Sequence, residues 1–153
     1  MAWLMFDVRL IYLLIMQNTP PRWHLRFENF MQAFETLELA KKACKTEPEN
    51  ILYRMALIQA FEFSYELAWK TLKDFLNFQG TPVALPHDVL KQAFAMELID
   101  DQDHWIKMLT DRNLTVHTYD QRHADTMIEN ITACYVPAFT KLINTLSSKR
   151  DAS

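Results

Sequence analysis

The chain has 153 residues, half of them hydrophobic, and a formal net charge of −3. That length suits one domain with a real core, and that charge excludes a broadly basic, non-specific nucleic-acid binder. A single glycine, Gly80, excludes a Gly-rich phosphate loop, a Rossmann turn and a glycine-punctuated β-sandwich, while ten Phe, eight Met and four Trp suit helix–helix packing.

The first stretch, MAWLMFDVRLIYLLIM, is too short to span a bilayer and carries Asp7 and Arg9 inside it. It lacks the basic n-region and small-residue cleavage site of a signal peptide, and Pro20-Pro21 follows. Three readings stand: an apolar segment that docks on the fold, a membrane-surface or secretory segment, or an upstream start preceding a natural one at Met16. The third is the expectation, and residues 1–21 are set apart as an apolar N-terminal extension.

Beyond the prolines, Trp23, Phe27, Phe30, Phe34, Leu37 and Cys44 recur at helical spacing until Thr46-Glu47-Pro48-Glu49 ends the run. A second helix spans about 51–78 with two apolar faces. Ile51, Met55, Ile58, Tyr65, Trp69, Leu72 and Leu76 form one; Leu57, Phe61, Ala68 and Phe75 form the other. Gly80 and Pro82 stop it.

Pro86-His87-Asp88 opens a shorter helix with Val89, Leu90, Ala93, Phe94 and Leu98 expected inward. Asp103 is expected to cap a fourth helix bearing Trp105, Ile106, Met108 and Leu109. After a turn near Thr118 and Tyr119, Asp120 is expected to cap a last helix carrying Met127, Ile128, Ile131, Tyr135, Phe139, Leu142 and Leu146, with Pro137 as its kink or weak point. The pattern is all-α: an antiparallel bundle of about five helices, one domain over 22–147, with 148–153 a solvated tail. Cys44 and Cys134 form no ligand or redox motif and read as buried small residues in a reducing cytosol.

Chemistry concentrates in RNLTVH, residues 112–117. In an ideal helix an offset of five leaves Arg112 and His117 about 140° apart. They converge only if the helix ends before His117, or across a two-fold axis between two chains. Together they suit RNA, which brings its own 2′-OH nucleophile: a group near neutral pKa moves protons and a fixed cation stabilises the phosphorane. His117 fits the first role and Arg112 the second. The plainer alternative pairs Arg112 with Asp111 or Asp74 and leaves His117 at a helix C-terminus. The remaining histidines show no metal-ligand spacing, and neither metal nor cofactor is expected. A polar stripe, Glu62-Glu66-Lys70-Asp74, runs along the second helix; it is either a solvated salt-bridged face or the surface that meets RNLTVH.

Two segments, FEFSYELAWKTLKDFLNFQG and LIDDQDHWIKMLTDRNLTVHTYD, resemble the nucleotidyltransferase substrate-binding protein family within the HEPN superfamily of helical domains. RWHLRFENFMQAFETLELA and YVPAFTKLINTL extend the resemblance to about residues 22–147. It implies a homodimeric helical bundle whose R-x4-H motifs line a cleft, and a metal-independent ribonuclease acting as a toxin. Its partner would be a minimal nucleotidyltransferase encoded nearby, which silences it by attaching AMP to the motif tyrosine. Arg112, His117 and Tyr119 match R-x4-H-x-Y in full, with Asn113, Asp111 and Glu66 as supporting residues.

The same resemblance also carries a non-enzymatic expectation: a substrate-binding subunit of a two-chain nucleotidyltransferase. Both expectations imply a cytoplasmic protein with no stable membrane association, and the first adds RNA (tRNA among the candidates) as substrate. Arg54, Lys70, Lys73, Lys107 and Arg122 are the cations available for an RNA path.

Overall fold

A computed structural model describes residues 7–17, 19–115 and 121–152. The helices are α1 (Val8–Gln17), α2 (Arg22–Thr46), α3 (Ile51–Phe78), α4 (Pro86–Ala95), α5 (Gln102–Leu114), α6 (Gln121–Asn130) and α7 (Val136–Asp151). A π-helical turn, Ile131–Tyr135, joins α6 to α7 into one long rod. No strand occurs among the described residues. From Arg22 onward this is the expected bundle of five rods.

Local chemistry sets the boundaries. Asn50 caps α3, its side-chain oxygen accepting from the Leu52 and Tyr53 amides at 3.0 and 3.3 Å. At the far end Gly80 takes φ +83°, and the Thr81 and Gly80 amides donate to the Leu76 and Asn77 carbonyls. That is a Schellman closure, in which glycine removes the Cβ penalty of the left-handed position. Pro86 occupies the first turn of α4, where its missing N–H costs nothing.

Several expectations shift. The cap of α5 is Asp101, which has extended backbone and accepts from the His104 amide at 2.9 Å. Asp103 already lies inside the first turn, where its charge still complements the helix N-terminus. Helix α4 stops at Ala95 because Glu97 sits at φ +56° in a second Schellman closure, its own and the Leu98 amide donating to the Phe94 and Ala93 carbonyls. That reversal buries Leu98 and Ile99 while Phe94 stays exposed. Ile51 and Met55 are exposed as well, so the apolar face of α3 begins only at Leu57 and Ile58. Cys44 is buried, but Cys134, on the outer side of the π turn, is exposed. Helix α7 continues to Asp151, through the stretch read as a solvated tail, and Arg150 lies over the Phe27 ring at 5.2 Å. Asp120 lies outside the described residues.

Pro137 acts as expected, one turn upstream. Lacking an N–H and crowding the carbonyl four residues back, it disfavours a regular helix across Ala133, and the π turn occupies that turn.

Helices α2 and α3 pack antiparallel: Arg26 near the start of α2 donates its Nε–H to Asp74 near the end of α3 at 2.6 Å. Between them and the α6–α7 rod lies an aromatic core. Phe30 meets Phe139 edge-on at 5.6 Å, Phe61 stacks on Tyr135 at 5.2 Å, and Trp105 of α5 closes over Phe139 at 5.7 Å. Each such fully buried side chain stabilises the fold by about 1.5–3 kcal/mol. Helix α1 contributes nothing comparable; Val8, Leu10, Tyr12, Leu13, Leu14, Ile15 and Met16 are all more than half exposed. Among the described residues no helix is long and apolar enough to cross a membrane.

Candidate active site

Helix α5 ends at Leu114, with Thr115 as its C-cap. Arg112 thus lies in the last turn of α5. His117 and Tyr119 lie outside the described residues; Arg112, Asn113, Asp111 and Glu66 lie within them.

Packing of α5 across α3 brings the motif arginine onto the polar stripe. Arg112 Nη2 meets Glu66 Oε1 at 2.9 Å, and Nη1 donates to Asn113 Oδ1 at 3.2 Å. Glu66 also pairs with Lys70, 3.1 Å away. Neither Asp111 nor Asp74 takes Arg112: Asp74 is held by Arg26 and by Arg22 at 3.5 Å, and Asp111 turns the other way. Between the two possibilities for the stripe, Glu62 and Glu66 face the motif helix while Asp74 faces α2.

The guanidinium is held but not saturated. Its side chain is 38% exposed, and its Nε–H, itself buried, has no partner among the described residues. A cation fixed by one carboxylate, with N–H groups to spare and access to solvent, is suited to an anion that arrives from outside.

Three residues that spacing did not single out complete the local structure. Thr115, buried, places its hydroxyl between the Arg112 carbonyl at 2.7 Å and Glu62 Oε1. Tyr135, in the π turn, donates its O–H to Asp111 Oδ2, and Asn130 Nδ2 donates to the same oxygen at 3.2 Å. The end of α5 is thus tied to α3 on one side and to the α6–α7 rod on the other. Burial, then the contact with Asp111, pushes the Tyr135 phenol far above the ordinary tyrosine range. It stays a donor. Burial likewise raises the Tyr65 phenol, which donates to the Trp105 carbonyl at 3.4 Å.

Of the cations considered for an RNA path, Lys70 joins the site through Glu66, and Lys107 lies 5.9 Å above the Tyr135 ring. Arg54 is engaged elsewhere, by Asp125 and the Pro48 carbonyl.

The family model described as nucleotidyltransferase substrate binding protein like matches residues 25–148. The chain belongs to this family. Among the relatives of this nucleotidyltransferase substrate binding family member, a Haemophilus influenzae protein named Probable ribonuclease HepT is 39% identical over 72 residues, 44% of this chain and 49% of the relative. The match thus spans about half of that relative's length. A solved Haemophilus influenzae structure, described as revealing the fold of a substrate binding domain of a nucleotidyltransferase, is 27% identical with a TM-score of 0.69 over 79% of this chain and 98% of its own. A Thermus thermophilus crystal structure is 28% identical with a TM-score of 0.61 over 76% of this chain and 97% of its own.

Proposed function

We propose that this chain is a metal-independent endoribonuclease, the toxin-like half of a cytoplasmic pair whose antitoxin is a minimal nucleotidyltransferase encoded nearby. The observation that carries the proposal is Arg112, anchored by Glu66 at 2.9 Å yet part-exposed and with an unpartnered Nε–H, on the last turn of α5. Similarity to a protein named as a ribonuclease supports it.

In the reaction the 2′-oxygen of RNA attacks the adjacent phosphorus, the bond from phosphorus to the 5′-oxygen breaks, and one proton passes overall from the 2′-oxygen to the 5′-oxygen. His117 carries that proton, because an imidazole is about half protonated near pH 6.5. Arg112 offers its planar donors to the phosphorane oxygens. Asn113 holds one edge of the guanidinium, Glu66 another, and Asp111 fixes the helix end that presents it. Two copies of the chain would place two motifs in one cleft. Attack of the Tyr119 phenol oxygen on the α-phosphorus of ATP, with loss of its proton and departure of pyrophosphate, adds an anionic phosphodiester two residues along the chain from His117, where it repels an RNA phosphate.

The purified protein, incubated with tRNA or total RNA under EDTA, is expected to leave 2′,3′-cyclic phosphate and 5′-hydroxyl ends, and His117→Ala is expected to leave the RNA whole. Equal survival of RNA with both proteins sinks the ribonuclease reading. Mass spectrometry after co-expression with the neighbouring transferase tests the tyrosine: an unmodified Tyr119 beside an active transferase rules out silencing by AMP.

A non-catalytic substrate-binding subunit is the second reading, favoured by the family description and the Haemophilus structure. Its signature is intact RNA together with a transferase that works only when this chain is added.

A further inference from the structure

Two carboxylates on α3 each hold two cations. Glu66 takes Arg112 at 2.9 Å and Lys70 at 3.1 Å. Asp74, two turns on, takes Arg26 at 2.6 Å and Arg22 at 3.5 Å. Each carboxylate neutralises one partner, so each group keeps one positive charge. Lys73 lies between them in sequence, part-buried and without a carboxylate partner among the described residues. With Glu62 counted as an anion, this surface carries five cations to three carboxylates, on a chain whose net charge is −3.

The spacing is as regular as the charge. Arg112 meets α3 at Glu66; Lys70 follows about 6 Å along the axis, and Asp74 with its arginines about 6 Å beyond that. One cation per helical turn is close to the interval between successive phosphates of a nucleic-acid strand. These neighbours lie within one Debye length, about 8 Å at physiological salt, so they act together while the acids at the far end of the bundle are screened. The cations also face solvent: the side chains of Arg112, Lys70 and Arg22 are 38%, 42% and 79% exposed. Lys70 is held in place, its ammonium 5.7 Å from the Trp69 ring centroid as well as paired to Glu66. Toward the start of α3 the exposed residues are Leu52, Met55 and Phe63, none of them charged. The positive field therefore leaves the motif in one direction only.

We propose that Arg112, Lys70, Lys73 and Arg22 form a track for single-stranded RNA, which carries the phosphates next to the scissile one along α3 toward the start of α2. The track rests on the ribonuclease reading for the place where it begins. Its strand is single because in-line attack by the 2′-oxygen needs a backbone geometry that a stacked A-form duplex does not offer. Arg26, only 23% exposed, fixes Asp74 and leaves Arg22 as the outer contact.

The test uses a fluorescent single-stranded oligoribonucleotide with 2′-O-methyl groups throughout, which has no nucleophile and stays whole. The full chain carrying both Arg22→Ala and Lys73→Ala is expected to bind it about tenfold more weakly than wild type at low salt. Its plot of log affinity against log salt is expected to be shallower by about 1.4, each phosphate contact on a single strand contributing about 0.7. The control removes two charges about 24 Å along α2 from Arg26: Lys42→Ala with Lys45→Ala is expected to bind like wild type. With cleavable RNA, the track variant is expected to raise KM about tenfold and hold kcat within about twofold. Equal weakening by both double variants overturns the track in favour of diffuse attraction. Oligonucleotide binding unchanged in the track variant overturns it too, and if that variant has lost the neighbouring transferase instead, the surface belongs to a protein partner. Wild type that fails to bind the oligonucleotide overturns it as well. If wild type binds the oligonucleotide through the track yet leaves unmodified RNA whole, the ribonuclease reading falls and the track stands.

Discussion

One face of α3 meets arginine in two places, eight residues apart, and the two meetings differ in what they leave over. At the far end Asp74 is only 8% exposed and gathers Arg26 at 2.6 Å and Arg22 at 3.5 Å. Its partners come from the start of α2, so the cluster straps one helix to another. Nearer the middle, Glu66 holds Arg112 at 2.9 Å, but the carboxylate is 27% exposed, the guanidinium more so, and its Nε–H has no partner among the described residues. Both are arginine–carboxylate pairs. What separates the two is how far solvent reaches the guanidinium: Arg112 is part-exposed, whereas Asp74 and Arg26 are largely closed off.

That contrast breaks most sharply at Arg112. Arg112→Ala is expected to lower RNA cleavage by about 10²–10³-fold, the usual cost of removing a transition-state donor, while melting stays close to wild type because the side chain is part-exposed. Arg112→Lys is expected to recover little, since an ammonium cannot reproduce the planar fork. Wild-type cleavage by Arg112→Ala would erase the distinction.

Asp74→Ala is the mirror experiment. It strands Arg26, 23% exposed, without its counter-charge. Urea unfolding is expected to show a loss of about 2–3 kcal/mol, with cleavage per folded molecule unchanged. Tyr135→Phe is expected to cost about 1 kcal/mol and to slow cleavage about threefold, because Asp111 keeps Asn130 but loses its tie to the π turn. Arg22→Ala should barely register. Arg22 is 79% exposed and Asp74 retains Arg26, so a change below about 0.5 kcal/mol is expected. A larger loss would place the strap at Arg22 rather than at Arg26.

Much of this was legible before any coordinates. The apolar spacing from Trp23 to Leu37, the proline breaks, Gly80 and the π-inducing Pro137 are local signals, and each acts within one or two turns of itself. Local signals misled where two residues could serve one role. Asp101 and Asp103 are equally good caps by type, and only the backbone at Asp101 decides between them. Glu97 was invisible for a related reason: a glutamate in the left-handed position carries none of the warning that a glycine does.

By itself the sequence determined that the chain is a helical bundle, where its rods break, and that Arg112 falls near a helix end, because periodicity and capping are properties of neighbouring residues. Tertiary structure alone decided which carboxylate Arg112 meets. Four acids were within argument: Glu62, Glu66, Asp74 and Asp111. The crossing of α5 over α3 gave Arg112 to Glu66 and Thr115 to Glu62, while the antiparallel pairing of α2 with α3 withdrew Asp74, and the π turn claimed Asp111 through Tyr135. Contacts between residues about fifty apart depend on how whole helices cross, and no spacing within one helix carries that information.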